Sequence, residues 1–128
     1  MSVPSFDWSK PTVQMLGRWQ PFHDGHVELL LHALDITGQV VIMCRHMPIE
    51  ENNPFNYLEV SQQIREKLKD TEIREGVHYQ IMPVPNVVNI SYGRDVGYTF
   101  TEHDLGAFIH DISATKIRQR MREEGELK

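Results

Sequence analysis

The sequence predicts an α/β sandwich built on a mostly parallel sheet. Short apolar runs typical of strands alternate along the chain with segments whose apolar residues recur at helical spacing. Residues 40–44 are continuously apolar and partly β-branched, as expected of a strand covered on both faces of a parallel sheet. With the strand and helix before it, this run occupies about the 30 residues of a right-handed crossover unit.

Length and composition fit one globular domain. The chain has 128 residues, of which 40% are hydrophobic and 24% charged, so it suits one core rather than a disordered segment. We expect an extended arm over residues 1–11, which contain Pro4 and Pro11, and a single domain over residues 12–128. The formal net charge of −5 argues against a general nucleic-acid binder, which needs an excess of Lys and Arg.

Cysteine usage and hydropathy predict a cytoplasmic protein. Cys44 is the single cysteine, so it cannot form an internal disulfide, and its apolar surroundings indicate a buried, unreactive thiol. No apolar run approaches the ~20 residues that span a bilayer, and the first residues lack a basic-then-apolar leader pattern. We therefore expect neither secretion nor a membrane partner.

The first half of the chain gives the clearest elements. Residues 12–16 are predicted as a strand that ends at Gly17, and residues 40–44 as the next strand. Between them a helix is expected from Asp24 to Gly38, which is a typical stop residue. Its apolar side chains fall on one face: Val27, Leu30, Leu31 and Leu34.

The second half of the chain is predicted to contain two helices and two candidate strands. Asn53 is expected to cap a helix that begins at Pro54 and ends near Asp70, with a buried face formed by Tyr57, Val60, Ile64 and Leu68. Residues 77–82 and 87–90 are strand candidates, and residues 113–124 are predicted as a final helix.

Residues 17–26 carry the first chemically informative pattern. If the helix begins near Asp24, His26 lies in its first turn and His23 just before it, so both imidazoles can share an anionic ligand with free helical N–H groups. Gly25 would let that ligand approach the backbone. An isolated pair of this kind is more often two ordinary histidines. A zinc site lacks a cysteine pair or a metalloprotease helix to complete it, so no metal ligands are predicted.

Residues 112–118 form the second pattern. Ser113 and Thr115 place hydroxyls at a helix start, and Arg118 places a guanidinium one turn later, which together suit phosphate. Without the first pattern, these residues and Lys116 are explained equally well as part of a capped basic helix that faces solvent. Acidic residues on the same helix weaken a nucleic-acid interpretation.

The two patterns together resemble the HxGH nucleotidylyltransferase superfamily. The resemblance implies a Rossmann-like three-layer α/β/α sandwich in which an acceptor phosphate attacks the α-phosphorus of an NTP and releases pyrophosphate. It implies catalytic roles for His23, His26 and Arg118. It also implies Mg²⁺ carried by the NTP and no covalent enzyme intermediate. The nucleotide and its phosphates would be held by the residues at matching positions: Gly17, Arg18, Trp19, Gly25, Ser113, Thr115 and Lys116.

Within that superfamily, residues 17–23 and 53–55 look most like archaeal-type nicotinamide mononucleotide adenylyltransferases, which favours ATP. The segment between Pro85 and Ile112 is short for a dinucleotide-forming member, and Arg94 and Asp95 are candidate acceptor contacts. Two alternatives stay open: a cytidylyltransferase acting on a phosphorylated alcohol or sugar, and a non-catalytic nucleotide-binding sensor or assembly module. Family members often form homo-oligomers, and the chain can be one module of a longer polypeptide.

Overall fold

A computed structural model gives the structure of the chain and describes residues 5–94, 97–103 and 121–123. Three strands pair in parallel in the order β1-β2-β3. Val40 of the central strand lies opposite Val13 on one side and Tyr79 on the other. The predicted α/β class with a parallel sheet is confirmed. The elements in chain order are β1 Val13–Gly17, α1 Asp24–Thr37, β2 Val40–Arg45, α2 Tyr57–Leu68 and β3 Tyr79–Val84.

Helix α1 begins and ends where the sequence predicts. His23 is its N-cap residue, and Gly38 follows it in the left-handed conformation with φ of 82°. The Gly38 N–H donates to the Leu34 carbonyl at 2.7 Å, which satisfies one of the last carbonyls of the helix. A residue with a Cβ would be strained at that φ, so the glycine ends the helix.

The two helices are neighbours. An ion pair of 2.6 Å joins the Lys67 ammonium on α2 to the Asp24 carboxylate at the start of α1. Right-handed crossovers that advance in one direction across a sheet place both helices on the same face, in agreement with this contact. The core beneath them includes Leu30, Ile42 and Ile64, each 0% exposed.

The final helix is predicted over residues 113–124, most of which lie outside the described residues. Residues 121–123 are helical, and Met121 packs against the core. Cys44 is buried at the end of β2 as predicted, and burial raises the pKa of its thiol to about 12. No helix in the described ranges has the length and apolarity needed to cross a membrane.

Part of the predicted N-terminal arm is bonded to the domain. Phe6 is buried, and its N–H donates to the Gly76 carbonyl at 2.7 Å. The Gln39 side chain donates to the Asp7 carbonyl at 2.7 Å and to the Thr12 hydroxyl at 2.6 Å, and it accepts from the Asp7 N–H at 3.1 Å. These bonds hold residues 6–12 beside the amino ends of β1 and β2.

The predicted start of α2 is wrong by three residues. The helix begins at Tyr57, and its N-cap is Asn56 rather than Asn53. The Asn56 side chain accepts from the Glu59 N–H at 2.9 Å, and the Glu59 carboxylate accepts from the Asn56 N–H at 3.1 Å. This reciprocal capping box satisfies two backbone donors, whereas Asn53 is buried and bonds elsewhere. The predicted buried face holds for Val60, Ile64 and Leu68.

The strand boundaries differ in the second half. The third strand starts at Tyr79 and extends to Val84, two residues later at each end than predicted. Residues 87–90 form no strand, and Val88 and Ile90 are exposed. A β-branched apolar run becomes a strand only where a neighbouring strand supplies hydrogen bonds, which local sequence does not reveal.

The Asn56 cap stabilises the start of α2. Replacing Asn56 with alanine removes the capping box, and we expect the free energy of unfolding to fall by about 1 kcal/mol. Urea denaturation of Asn56→Ala measures this loss, with Asn52→Ala as the matched control because Asn52 is an exposed asparagine in the preceding turn. An equal loss in both variants would contradict the assignment of the cap.

Candidate functional site

Residues 17–26 lie between the carboxyl end of β1 and the first turn of α1. In open parallel sheets, ligands bind outside the carboxyl ends of the strands, and a helix N-terminus there presents unpaired N–H groups and the positive end of its dipole. The motif therefore lies where this fold class binds anions.

The two histidines cap the helix reciprocally. The His23 Nδ1 accepts from the Gly25 N–H at 3.0 Å, and the His26 Nδ1 accepts from the His23 N–H at 3.1 Å. Because a neutral imidazole carries one proton, an accepting Nδ1 places that proton on Nε2. Each ring therefore presents an Nε2–H donor, and sequence reasoning predicted the pair without these tautomers.

Both imidazoles are held neutral and in contact. Their rings stack with centroids 3.7 Å apart and planes inclined by 19°. Burial lowers the pKa of His23, and burial together with the neighbouring His23 lowers the pKa of His26 to about 3. At neutral pH the pair offers hydrogen-bond donors without carrying positive charge.

Aromatic side chains support His26 from behind. Its ring meets Trp19 edge-on at 4.8 Å between centroids and Phe22 at 5.3 Å. Trp19 and Phe22 are 6% and 4% exposed, so both serve mainly as packing. The Trp19 indole N–H donates to the Met43 carbonyl at 3.0 Å, which ties the motif to β2.

Trp19 also explains the glycine before it. A Cβ built on Gly17 would lie 2.7 to 2.9 Å from the Trp19 ring atoms, closer than real contacts allow. Trp19 itself has φ of 51°, a left-handed conformation that is uncommon for a bulky residue and often marks functional segments. Glycine is therefore required at position 17 because the Trp19 indole packs directly against its Cα.

Gln20 fastens the motif to the segment before α2. Its side-chain amide donates to the Phe55 carbonyl and accepts from the Phe55 N–H, both at 3.0 Å, and the side chain is only 3% exposed. Sequence reasoning did not assign a role to Gln20. Gln20 is the one amide side chain in residues 17–26, which was the available signal, but its partner is 35 residues away.

Arg18 is exposed beside this segment. Its guanidinium donates to Asn53 Oδ1 at 3.3 Å, and Asn53 Nδ2 donates to the Glu50 carboxylate at 3.0 Å. Asn53 is 1% exposed, so a buried amide holds an exposed cation at the edge of the motif. Sequence reasoning predicted Arg18 and missed its partner.

Most of the predicted site residues beyond the histidine motif lie outside the described part of the chain. Ser113, Thr115, Lys116 and Arg118 lie outside the described residues, as does Asp95. Arg94 is exposed. The helical turn 121–123 contacts the segment after β2, because Arg122 donates to the Glu51 carbonyl. Within the described part of the chain, no group of three or more His, Cys, Asp or Glu side chains is arranged to hold a metal ion.

A cavity of about 850 Å³ lies along α2 and meets the motif at Phe22. Its cations are already paired: Arg65 with Glu75, Lys67 with Asp24, and Lys69 with Glu66. It is wide open to solvent, so we place the candidate site at the histidine pair rather than in this cleft.

Comparison with known proteins supports the predicted class of the fold. No protein-family model matches the sequence, and no curated protein matches it. A solved structure of a bifunctional NMN adenylyltransferase/ADP ribose pyrophosphatase from Francisella tularensis, complexed with AMP and a manganese ion, matches with a TM-score of 0.50 and 27% identity. The match covers 59% of this chain and 23% of that one. The chain is therefore similar, over part of its length, to a nucleotidylyltransferase.

The contact between Gly17 and Trp19 gives a second prediction. In Gly17→Ala the added methyl group overlaps the indole, and overpacking of this kind costs about 1–3 kcal/mol of unfolding free energy. Gly93→Ala is the matched control because a Cβ there meets nothing within 4 Å. Thermal and urea unfolding compare the two variants, and equal stabilities would contradict the close packing of Trp19.

The lowered pKa of His26 gives a pH prediction. Below pH 6.5 the unfolded chain gains a proton at His26, while the folded protein stays neutral there until about pH 3. The unfolded state then binds more protons, so the free energy of unfolding falls as the pH falls, by up to about 1.4 kcal/mol per pH unit from this group. The lowered pKa of His23 acts in the same direction.

Urea unfolding at pH 7.0 and 5.0 measures this effect. In His26→Gln the new side chain still accepts the capping bond at the position that glutamine often occupies, but it does not titrate. We expect a smaller loss of stability between the two pH values than in the unmodified protein. His32→Gln, an exposed histidine on the same helix, controls for loss of a histidine. The interpretation fails if His26→Gln shows the full pH dependence.

Proposed function

We propose that the protein is a nucleotidylyltransferase that transfers AMP from ATP to a phosphorylated small molecule. The observation that carries this proposal is the reciprocal histidine cap, which presents two Nε2–H donors at the start of α1. Neutral donors fixed beside a helix N-terminus suit a site in which negative charge develops on phosphate oxygens.

The proposed reaction is a direct displacement. An oxygen of the acceptor phosphate forms a bond to the α-phosphorus of ATP, and the bond from that phosphorus to the bridging oxygen of the β-phosphate breaks. Pyrophosphate leaves with the electron pair, and a phosphoanhydride remains. The stacked imidazoles would donate to phosphate oxygens as their charge rises, so catalysis comes from positioning and charge stabilisation.

The remaining roles extend the sequence predictions. We propose His23, His26 and Arg118 as catalytic residues and Arg18 as a phosphate or acceptor contact. Gly25 is buried in the first turn of α1, where its N–H already donates to His23 Nδ1. Trp19 would act as a wall behind His26. The C-terminal segment would complete the triphosphate site through Ser113, Thr115 and Lys116.

Divalent metal is proposed to enter with the nucleotide. Imidazole N–H and guanidinium groups are donors, so they fit the phosphate oxygens of a metal–triphosphate complex rather than the metal itself. Mg²⁺ bound to the triphosphate would supply charge neutralisation. The F. tularensis structure, which holds AMP and manganese, supports a nucleotide together with a divalent cation.

The adenine preference and the acceptor are also proposals. The matched structure is an NMN adenylyltransferase with AMP bound, which favours ATP over CTP as the donor. Arg94 and Asp95 remain candidate acceptor contacts. A phosphorylated acceptor follows from the proposed chemistry, since a phosphate oxygen must attack.

A turnover assay tests the proposal. The protein is mixed with each of the four NTPs and Mg²⁺ and offered a panel of phosphorylated acceptors, and pyrophosphate and the coupled product are measured. We expect turnover with ATP. In His26→Ala the rate should fall by about 100-fold or more, as for loss of one preorganised donor.

His32→Ala is the matched control, because it removes an exposed histidine from the same helix. Equal rates in His26→Ala and the unmodified protein would remove His26 from the mechanism. Nucleotide binding without pyrophosphate release for any acceptor would instead identify a sensor or assembly module.

A further inference from the structure

Residues 50–53 form a closed turn beside the histidine motif. The Glu50 N–H donates to the Asn53 carbonyl at 3.2 Å, and the Asn53 N–H donates to the Glu50 carbonyl at 3.0 Å. The Asn53 side chain extends this pairing, since Nδ2 donates to the Glu50 carboxylate at 3.0 Å. Backbone and side chain of Asn53 are thus both fixed by Glu50.

This arrangement sets the direction of the Asn53 amide. With Nδ2 committed to an acceptor, Oδ1 faces Arg18 and accepts from its guanidinium at 3.3 Å. The opposite orientation of the amide would place a donor against the guanidinium and an acceptor against the carboxylate. The two charged neighbours therefore determine one orientation, and burial to 1% exposure holds it.

The turn is in addition anchored on two sides. Gln20, two residues after Arg18, makes paired bonds to the backbone of Phe55. Arg122 in the helical turn 121–123 donates to the Glu51 carbonyl at the tip of the turn. The segment that bonds Arg18, residues 50–55, is therefore attached both to the histidine motif and to the helical turn 121–123.

Arg18 gains a defined position from this support. An exposed arginine samples many rotamers, and freezing them opposes ligand binding. Asn53 takes one N–H of a guanidinium that has five, which leaves donors in the planar fork for phosphate oxygens. The bond to Asn53 therefore restricts the Arg18 side chain before a ligand binds.

We infer that Asn53 is a positioning residue that holds the Arg18 guanidinium for contact with a nucleotide phosphate. This inference rests on the proposed function, because it assigns Arg18 a phosphate ligand. Asn53 itself touches no substrate and acts through Arg18. A purely structural asparagine would stabilise the turn without any dependence on Arg18.

A double-mutant cycle on ATP affinity tests this role. The dissociation constant for ATP with Mg²⁺ is measured by calorimetry for the unmodified protein, Asn53→Ala, Arg18→Ala and the double variant. Because Asn53→Ala frees the rotamers of Arg18, we expect binding about tenfold weaker. In the Arg18→Ala background the same substitution should change the affinity by less than about twofold. A change of that size is within the ordinary error of additivity for independent sites.

Asn56→Ala is the matched control, because it is the same substitution three residues away and destabilises α2 without contacting Arg18. Its ATP affinity should stay at the unmodified value. If Asn53→Ala does not fold, Asn53→Ser replaces it, since serine keeps a polar side chain but lacks the Oδ1 that accepts from Arg18. Circular dichroism establishes folding for every variant.

The outcomes separate the two claims. Additive losses in the cycle, or unchanged affinity in Asn53→Ala, would overturn the role of Asn53 while the unmodified protein still binds ATP. Absence of ATP binding by the unmodified protein would overturn the proposed function, and the role of Asn53 with it. A loss that disappears in the Arg18→Ala background supports the inference.

Discussion

The candidate site depends on one local interaction, the reciprocal hydrogen bonding of His23 and His26 at the start of α1. A helix start leaves backbone N–H groups unpaired, and here the imidazole nitrogens accept two N–H groups at the start of the helix. The same bonds that stabilise the helix assign the tautomers, because each accepting Nδ1 leaves the proton on Nε2. The bonds that cap the helix therefore also leave both Nε2–H donors for the proposed phosphate ligand.

The rest of the motif keeps that geometry in place. Trp19 closes over Gly17 and bonds to β2, and Phe22 packs against His26, so the imidazole pair has little freedom to turn away. Burial beside these rings disfavours the charged imidazolium. The protein therefore presents neutral donors near a helix dipole, and the positive charge of the described site comes from Arg18 at its edge.

The sequence predicted this half of the molecule well because its signals are local. Helical spacing, a glycine at the end of α1 and a β-branched run at β2 depend on residues a few positions apart. The sequence predictions were wrong where two residues could each cap the same helix, or where an apolar run had no neighbouring strand to pair with. Asn53 and Asn56 both precede α2, but burial of Asn53 against Glu50 left Asn56 to cap the helix. The run at residues 87–90 has strand composition and no strand pairing.

What the sequence by itself determined is the β-α-β order, the buried cysteine and the position of the histidine pair at the start of a helix. Only the tertiary structure decided which groups hold the site residues in position. Gln20 meets Phe55 and Arg18 meets Asn53 across 35 residues of chain, and Trp19 meets Met43 across 24. Such contacts form because the carboxyl ends of adjacent parallel strands, and the segments that follow them, lie side by side in the sheet. The spacing of residues along the chain does not reveal which of them come together there.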